Sequence, residues 1–478
     1  MPTLTNLRRL ASPSQRHKVN LEIRALWLLA WPILIGQLAN MGMSVVDIAM
    51  AGHASAQDLA GVSLGVSIWN IATITLMGVM MAVNPVVAHH VGANEVGKVP
   101  HVVRQALWKA LGVGLLTAIA ANLSCFVFDH LGLEPAVRDM AKEFVLVTSL
   151  SIPAYACYRV LYGYSASLNQ TKPLMVIAIG ALLLNVMINW LLIFGNLGFP
   201  RLGGMGCAWS TLACVWFNLL GMLWWMRRAP AYHSTWPFDR FERPHWLQIR
   251  SLLRLGLPIG VTYCVETSAF SVIALLVARF GNTQIAANQI TLNVSSLFFM
   301  VPLSLGIAVM TRVGQSLGAC DPVAARFRAW VGVGMSLLCA MAAAAFMATF
   351  NHQIAALYTN DMAVITVAAQ LIFLVALLQL SDATQIAASS AIRGYKVSRA
   401  PMLIQLTAFW VFSLPLGYAL GLAPDWLPWV PAQPMASTGF WLALAIGLTV
   451  AAIGMTLLLR YVTRQRLVSH PYTASSSA

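Results

Sequence analysis

Twelve apolar runs, each long enough to cross a bilayer, recur along the 478 residues of this chain. They lie near 25–50, 59–84, 103–128, 140–162, 174–196, 205–226, 252–278, 285–310, 329–350, 363–391, 401–421 and 438–460. A spanning helix needs about 20 mainly apolar residues. In hydrocarbon the backbone must satisfy its own polar groups, which only helices and closed barrels achieve. Barrel strands would give alternating segments of about ten residues, whereas these runs are long and unbroken. The sequence therefore predicts an all-α polytopic membrane protein with twelve transmembrane helices. Composition agrees: 59% of residues are hydrophobic and 9% charged, against about 25% charged in an ordinary soluble domain. So few charges cannot coat a soluble enzyme, a disordered tail or a DNA-binding module.

The net charge of +14 then reads as orientation. Twenty-four of the 29 Lys and Arg fall on one side of the twelve runs, four on the other, and Arg159 within a run. Positive charge stays cytoplasmic, and an even number of spans returns both termini to that side. No block of five like charges occurs, so no nucleic-acid partner is expected. The first 23 residues are polar and basic, and the run after them is too long for a cleavable signal. The seven Cys form no CxxC pair and lie mostly in apolar stretches, which points to neither a disulfide nor a metal site. The Pro-rich loop 423–434, with Trp426 and Trp429, reads as an anchor at the membrane–water interface.

The chain also repeats itself. WPILIGQ and GLPIGVT place Pro32 opposite Pro258, an offset of 226. HHVG at 89–92 matches TRVG at 311–314, and LNQTKPLM and IRGYKVSRAPM place Pro173 opposite Pro401. Three landmarks in order at a nearly constant offset indicate a duplication. The implied organisation is a tail at 1–23, a six-helix lobe at 24–226, a linker at 227–251, a second six-helix lobe at 252–462 and a tail at 463–478. Six spans per repeat make the two pseudo-symmetric bundles parallel repeats, a transporter architecture.

Three carboxylates sit within the runs: Asp47, Glu266 and Asp382. An ionisable group in a bilayer costs several kcal/mol unless paired or hydrated, which makes it a functional candidate. The plain alternative is a neutral or hydrogen-bonded contact between helices. No Lys within a span stands ready to neutralise Glu266 and Asp382, and Arg279 and Arg393 fall at span ends. Such acids can carry a proton or Na⁺, a hard cation that prefers oxygen ligands, so Glu266 and Asp382 form a possible Na⁺ site. At the duplication offsets Glu266 corresponds to Asn40 and Asp382 to Tyr158. Asn185 and Asn189, one helical turn apart in LLLNVMINW, are placed near Asp47.

Other chemistry is missing from the sequence. The ten His fall in loops or at span ends, and neither HExxH nor GxxxxGK[ST] occurs. No constellation of an enzyme is present and no cofactor is expected beyond a coupling ion.

MGMSVVDIAMAGHASAQDLAGVSLGVSIW at 41–69, NPVVAHHVGA at 84–93 and LGGMGCAWST at 202–211 resemble the multidrug and toxic-compound exporters called MATE, in their NorM-type branch. NQITLNVSSLFFMVPLSLGIAVMTRVGQSLG and IRGYK fit the same branch, and the resemblance spans about 24–462. It implies export of cationic, often aromatic drugs or dyes against inward Na⁺ or H⁺ flow, by alternating access of two lobes. It also implies a monomer in membrane lipid, in a bacterial inner membrane. Asp47 is similar to the first-lobe protonation aspartate, with Asn185, Asn189 and Thr211 near it; Glu266 and Asp382 look like the second-lobe cation-site acids. Relatives often read His-Gln in the eighth span where this chain has Asn288-Gln289, so Gln289 alone is carried over as polar lining. The alternative is a flippase for lipid-linked saccharides of the same architecture. Basic cavity residues would favour the flippase, and acids without bases favour cationic drugs.

Overall fold

The computed structural model describes residues 13–54, 56–130, 134–423 and 433–469. The loop residues Trp426 and Trp429 lie outside them. Among the described residues the regular structure is helical, with no strand. In chain order the main helices are α1 (Pro13–Ala54), α2 (Ala56–Met80), α3 (Val83–Gly92), α4 (Val99–Ser124), α5 (Pro135–Ser149), α6 (Ile152–Ser167) and α7 (Lys172–Phe194). Then follow α8 (Met205–Arg228), α9 (Trp246–Val277), α10 (Asn282–Gly318), α11 (Pro322–Thr349), α12 (Met362–Gly394), α13 (Arg399–Leu422) and α14 (Ala436–Ser469). Eleven helical segments among the described residues are long and apolar enough to cross a membrane. The pair α5 and α6, bent by 45°, supplies a twelfth. The break has a local cause: Pro153 lies in the first turn of α6 and brings no N–H to the ladder. Ser151 Oγ donates to the carbonyl of Thr148 at 2.6 Å, so a polar group exposed at the bend finds a partner within the chain. In α13 the turns at Thr407–Ser413 widen to a π-helix just before Pro415, a local widening of the kind that accommodates a disrupted ladder.

The chain forms two compact units, Pro32–Cys264 and Met1–Trp31 with Val265–Ala478. The division falls inside α1 and α9, not in the polar stretch 227–251 named from sequence. In the first unit α9 meets α2 through bare backbone. A Cβ on Gly78 would lie 2.7 Å from the Cα of Gly260, and one on Gly256 would collide with the carbonyl oxygen of Val79. Gly256 and Gly260 are one turn apart, the spacing with which small residues let membrane helices approach closely. The stretch before α9 is clamped to α4. Glu242 accepts from Arg104 at 2.5 Å and pairs with His101, Trp108 Nε1 donates to the Glu242 carbonyl at 2.9 Å, and Gln105 Nε2 donates to the Arg243 carbonyl at 3.1 Å.

In the second unit α12 is the central helix. Leu371, Ile372 and Val375 are buried in a cluster with Phe409, Phe440 and Trp441. Glu22, buried near the start of α1, accepts from Arg312 Nε at 2.9 Å and Nη2 at 2.5 Å, with Arg328 Nε at 3.4 Å. A buried carboxylate needs such partners, because losing them would leave its charge uncompensated.

Two outcomes follow from this packing. Gly260→Leu is expected to destabilise the protein by about 1–3 kcal/mol through overpacking, read as a lower thermal midpoint in detergent. Gly334→Ala, where an added Cβ meets nothing within 4 Å, is expected to leave it unchanged. Arg104 and His101 hold the Glu242 carboxyl down at about 2, from an ordinary 4.5. Its stabilising contribution is therefore complete above pH 4.5 and is lost as pH falls toward 2. Amide exchange over 237–245 is expected to show a docked loop at pH 5 in the native chain and a released one in Glu242→Gln at the same pH.

Candidate functional site

The first-unit site is built by a helical hairpin. α7 ends on Gly195 in the left-handed region (φ 72°), the chain turns back, and Leu202 N–H donates to the Leu192 carbonyl at 2.8 Å. A Cβ on Gly206 would lie 2.9 Å from the backbone nitrogen of Ile193, so the glycine lets α8 press against α7. This contact sets Asn185 and Asn189 of α7 beside Ser210 and Thr211 of α8. Asp47 of α1, itself buried, meets them. Its Oδ1 accepts from Asn189 Nδ2 at 2.6 Å and Asn185 Nδ2 at 2.9 Å, and its Oδ2 from Thr211 Oγ1 at 3.4 Å. Asn185 Nδ2 also reaches Ser210 Oγ at 3.1 Å. The four residues named from sequence thus come together, and their donors surround one carboxyl group.

Asp47 opens onto a cavity of about 190 Å³ lined by residues that include Asn40, Trp69, Tyr155, Tyr158 and Arg159. Trp69 and Tyr155 pack edge to face at 6.1 Å. Arg159 was set aside in the sequence as a base within a span, and here it is a wall of this cavity. It is 6% exposed, its Cζ lies 4.4 Å from the ring centroid of Tyr162, and its buried Nε has no hydrogen-bond partner among the described residues. The first-unit cavity therefore holds an acid, a base and aromatic faces.

The second-unit acids come from α9 and α12. Asp382 is buried, Glu266 is half-buried, and the two are within electrostatic reach of each other. Asp382 Oδ1 is buried without a donor among the described residues, as are the Oε1 atoms of Gln379 and Gln385. These three residues follow one another at three-residue intervals, so they share one side of α12. Gln379 and Gln385 were missed in the sequence, although LQLSDATQIA shows their spacing around Asp382. Oxygen acceptors in excess of donors are what a hard cation uses. Among the described residues no group of three or more His, Cys, Asp and Glu could hold a metal ion, so amide oxygens would have to complete a Na⁺ site. Gln289 is exposed, and its carbonyl accepts from Asn293 at 3.0 Å. Its neighbour Asn288 is buried and accepts from Trp441 Nε1 at 2.9 Å.

Two bases are buried in the fold. Arg393, near the end of α12, lies within electrostatic reach of Glu266. Lys109 of α4 donates to the Val79 carbonyl at 3.1 Å.

The MatE family model matches residues 32–191 and again 258–419. The chain belongs to this family, and the two matches start 226 residues apart, the offset read from Pro32 and Pro258. It is similar to the multidrug resistance protein PmpM of Pseudomonas aeruginosa, 42% identical over 95% of this chain and 94% of that one. It is also similar to the probable multidrug resistance protein NorM of Chromobacterium violaceum, 39% identical over 95% and 97%. The fold matches the eukaryotic MATE transporter AtDTX14 with a TM-score of 0.83 at 19% identity, over 94% of this chain and 99% of that one.

The distances around Asp47 rank its partners. Asn189→Leu removes the shortest of the bonds to the Asp47 carboxylate and is expected to lower stability by about 1.5–3 kcal/mol, seen as a fall in thermal midpoint. Thr211→Val removes only the 3.4 Å contact and is expected to move the midpoint far less.

Proposed function

We propose that this MATE-family chain is a multidrug exporter that moves cationic, often aromatic compounds out of the cell in exchange for Na⁺ or H⁺. It works as a monomer in a bacterial inner membrane with both termini in the cytoplasm, and acts as a transporter and not as an enzyme. The observation that carries the reading is the pair of acidic sites within spans: Asp47 among Asn185, Asn189 and Thr211, and Asp382 within reach of Glu266. An inward ion at one acidic site and an outward cationic substrate at the other bias a conformational equilibrium in opposite directions, so each weakens the other's binding, and that reciprocal coupling links their flows. Trp69, Tyr155 and Tyr158 offer π faces to a flat cation beside Asp47. Gln379 and Gln385 add oxygen acceptors around Asp382 for the ion.

The positive-inside bias of the loops supports the orientation of the termini. The flippase reading is disfavoured because Arg159 is the one base that lines this cavity among the described residues, a single guanidinium to meet a lipid phosphate. The curated relatives above are multidrug resistance proteins.

Ethidium efflux from membrane vesicles, under Na⁺ and proton gradients imposed separately, is expected to respond to at least one of them. Efflux indifferent to both would refute coupled export. Asp47→Asn, Glu266→Gln and Asp382→Asn are each expected to weaken coupling by roughly 5- to 150-fold while the protein still reaches the membrane. Arg159→Gln is expected to leave ethidium efflux near the native rate, whereas a lipid-phosphate substrate would lose its countercharge.

A further inference from the structure

A second cavity of the first unit, about 400 Å³, opens among α4, α6, α8 and the loop that precedes α9. That volume is within the range of about 300–1,000 Å³ typical of ligand sites. Its floor is hydrocarbon: Leu107, Leu111, Leu161, Leu219 and Leu223. Its rim is charged, with Arg104, Arg240 and Glu242. The acid on that rim is already taken, since Glu242 pairs with both Arg104 and His101. Arg240 is exposed and has no carboxylate partner among the described residues. Arg227, Arg228 and Arg243 are exposed nearby in the same stretch of chain.

The loop itself carries large apolar side chains outward: Phe241 is 82% exposed, and Leu247 at the start of α9 is 70% exposed. A water-facing loop would hide such groups. Aromatic rings and Arg side by side are characteristic of the headgroup layer of a bilayer. The loop is also a built element, held on α4 by the bonds of Arg104, Gln105 and Trp108, with Trp108 and Phe241 packed edge to face at 5.9 Å. An apolar slot between spans, roofed by a basic aromatic loop at the membrane boundary, matches a molecule with a hydrocarbon chain below and an anionic head above.

We propose that this cavity is a binding site for an anionic phospholipid, with an acyl chain along the leucines and the phosphate at Arg240. The site is separate from the Asp47 cavity, and the proposal does not rest on the transport reading. The occupant would brace α4, α6 and α8 from the lipid side.

The test uses the full chain in detergent, titrated with phosphatidylglycerol or phosphatidylcholine and read by native mass spectrometry. One phosphatidylglycerol is expected to be held in preference to phosphatidylcholine. Arg240→Glu is expected to weaken it roughly tenfold or more, as reversal of a surface charge does toward an anionic lipid. Leu223→Trp, which fills the slot, is expected to remove it, and Leu223→Met to retain it. Should Leu223→Trp fail to fold, the exposed Arg240→Glu decides alone. Equal retention of both lipids, or unchanged phosphatidylglycerol binding in Arg240→Glu, would overturn the site.

Discussion

A charge in hydrocarbon must be matched, hydrated or neutralised, and the acids within the helices of this chain meet that requirement in three different ways. Glu22 is matched by opposite charge, with Arg312 and Arg328 around it. Asp47 is matched by neutral donors from two amides and a hydroxyl. Asp382 is left with an acceptor oxygen that no donor meets among the described residues, and the Oε1 atoms of Gln379 and Gln385 are in the same condition. A closed ion pair such as that of Glu22 fastens the start of α1 to α10 and α11, and has no open coordination to offer a ligand. The other two sites leave something undone, which is where transport chemistry can act.

The architecture was legible because hydropathy reports a requirement of the solvent. Each run had to close its own hydrogen bonds, so run length fixed span number, and the repeat offset fixed the internal symmetry later matched twice by one family model. What hydropathy could not report is geometry inside a run. The break between Ser149 and Ile152 leaves the apolar pattern of 140–162 intact, and only Pro153 signals it. The boundary of the compact units likewise falls inside α1 and α9, because a continuous helix can pack its two halves against different partners while its sequence stays uniformly apolar.

The site was legible unevenly for a similar reason. Asn185 and Asn189 could be paired from a spacing of four, and the resemblance set them with Thr211 beside Asp47. Glu22 could not be recognised as buried, since its partner Arg312 is 290 residues away. Lys109 and Arg393 were read only as charges that record orientation, and their burial, against the Val79 carbonyl and within reach of Glu266, depends on tertiary contacts that the sequence does not display. Gln379 and Gln385 carry no charge, so a search for charges passed over them. Arg159 shares its cavity with Asp47 but packs on the ring of Tyr162, a contact that the sequence does not display.

The duplication gives these differences a direction. Asn40 and Tyr158, which correspond to Glu266 and Asp382, both line the first-unit cavity. That cavity has thus kept the positions of the two acids while filling them with an amide and a phenol, and has placed its own acid at Asp47. Around Asp47 donors are plentiful and aromatic rings stand by, an environment suited to a large organic cation whose charge meets one carboxylate and whose body meets π faces. Around Asp382 acceptors outnumber donors, an environment suited to a small hard cation. Under the proposed reading, one ancestral half has specialised toward the substrate and the other toward the ion. A shared site would make ion and substrate exclude each other by contact. Two specialised sites require the exchange to be carried by a conformational equilibrium that both bias.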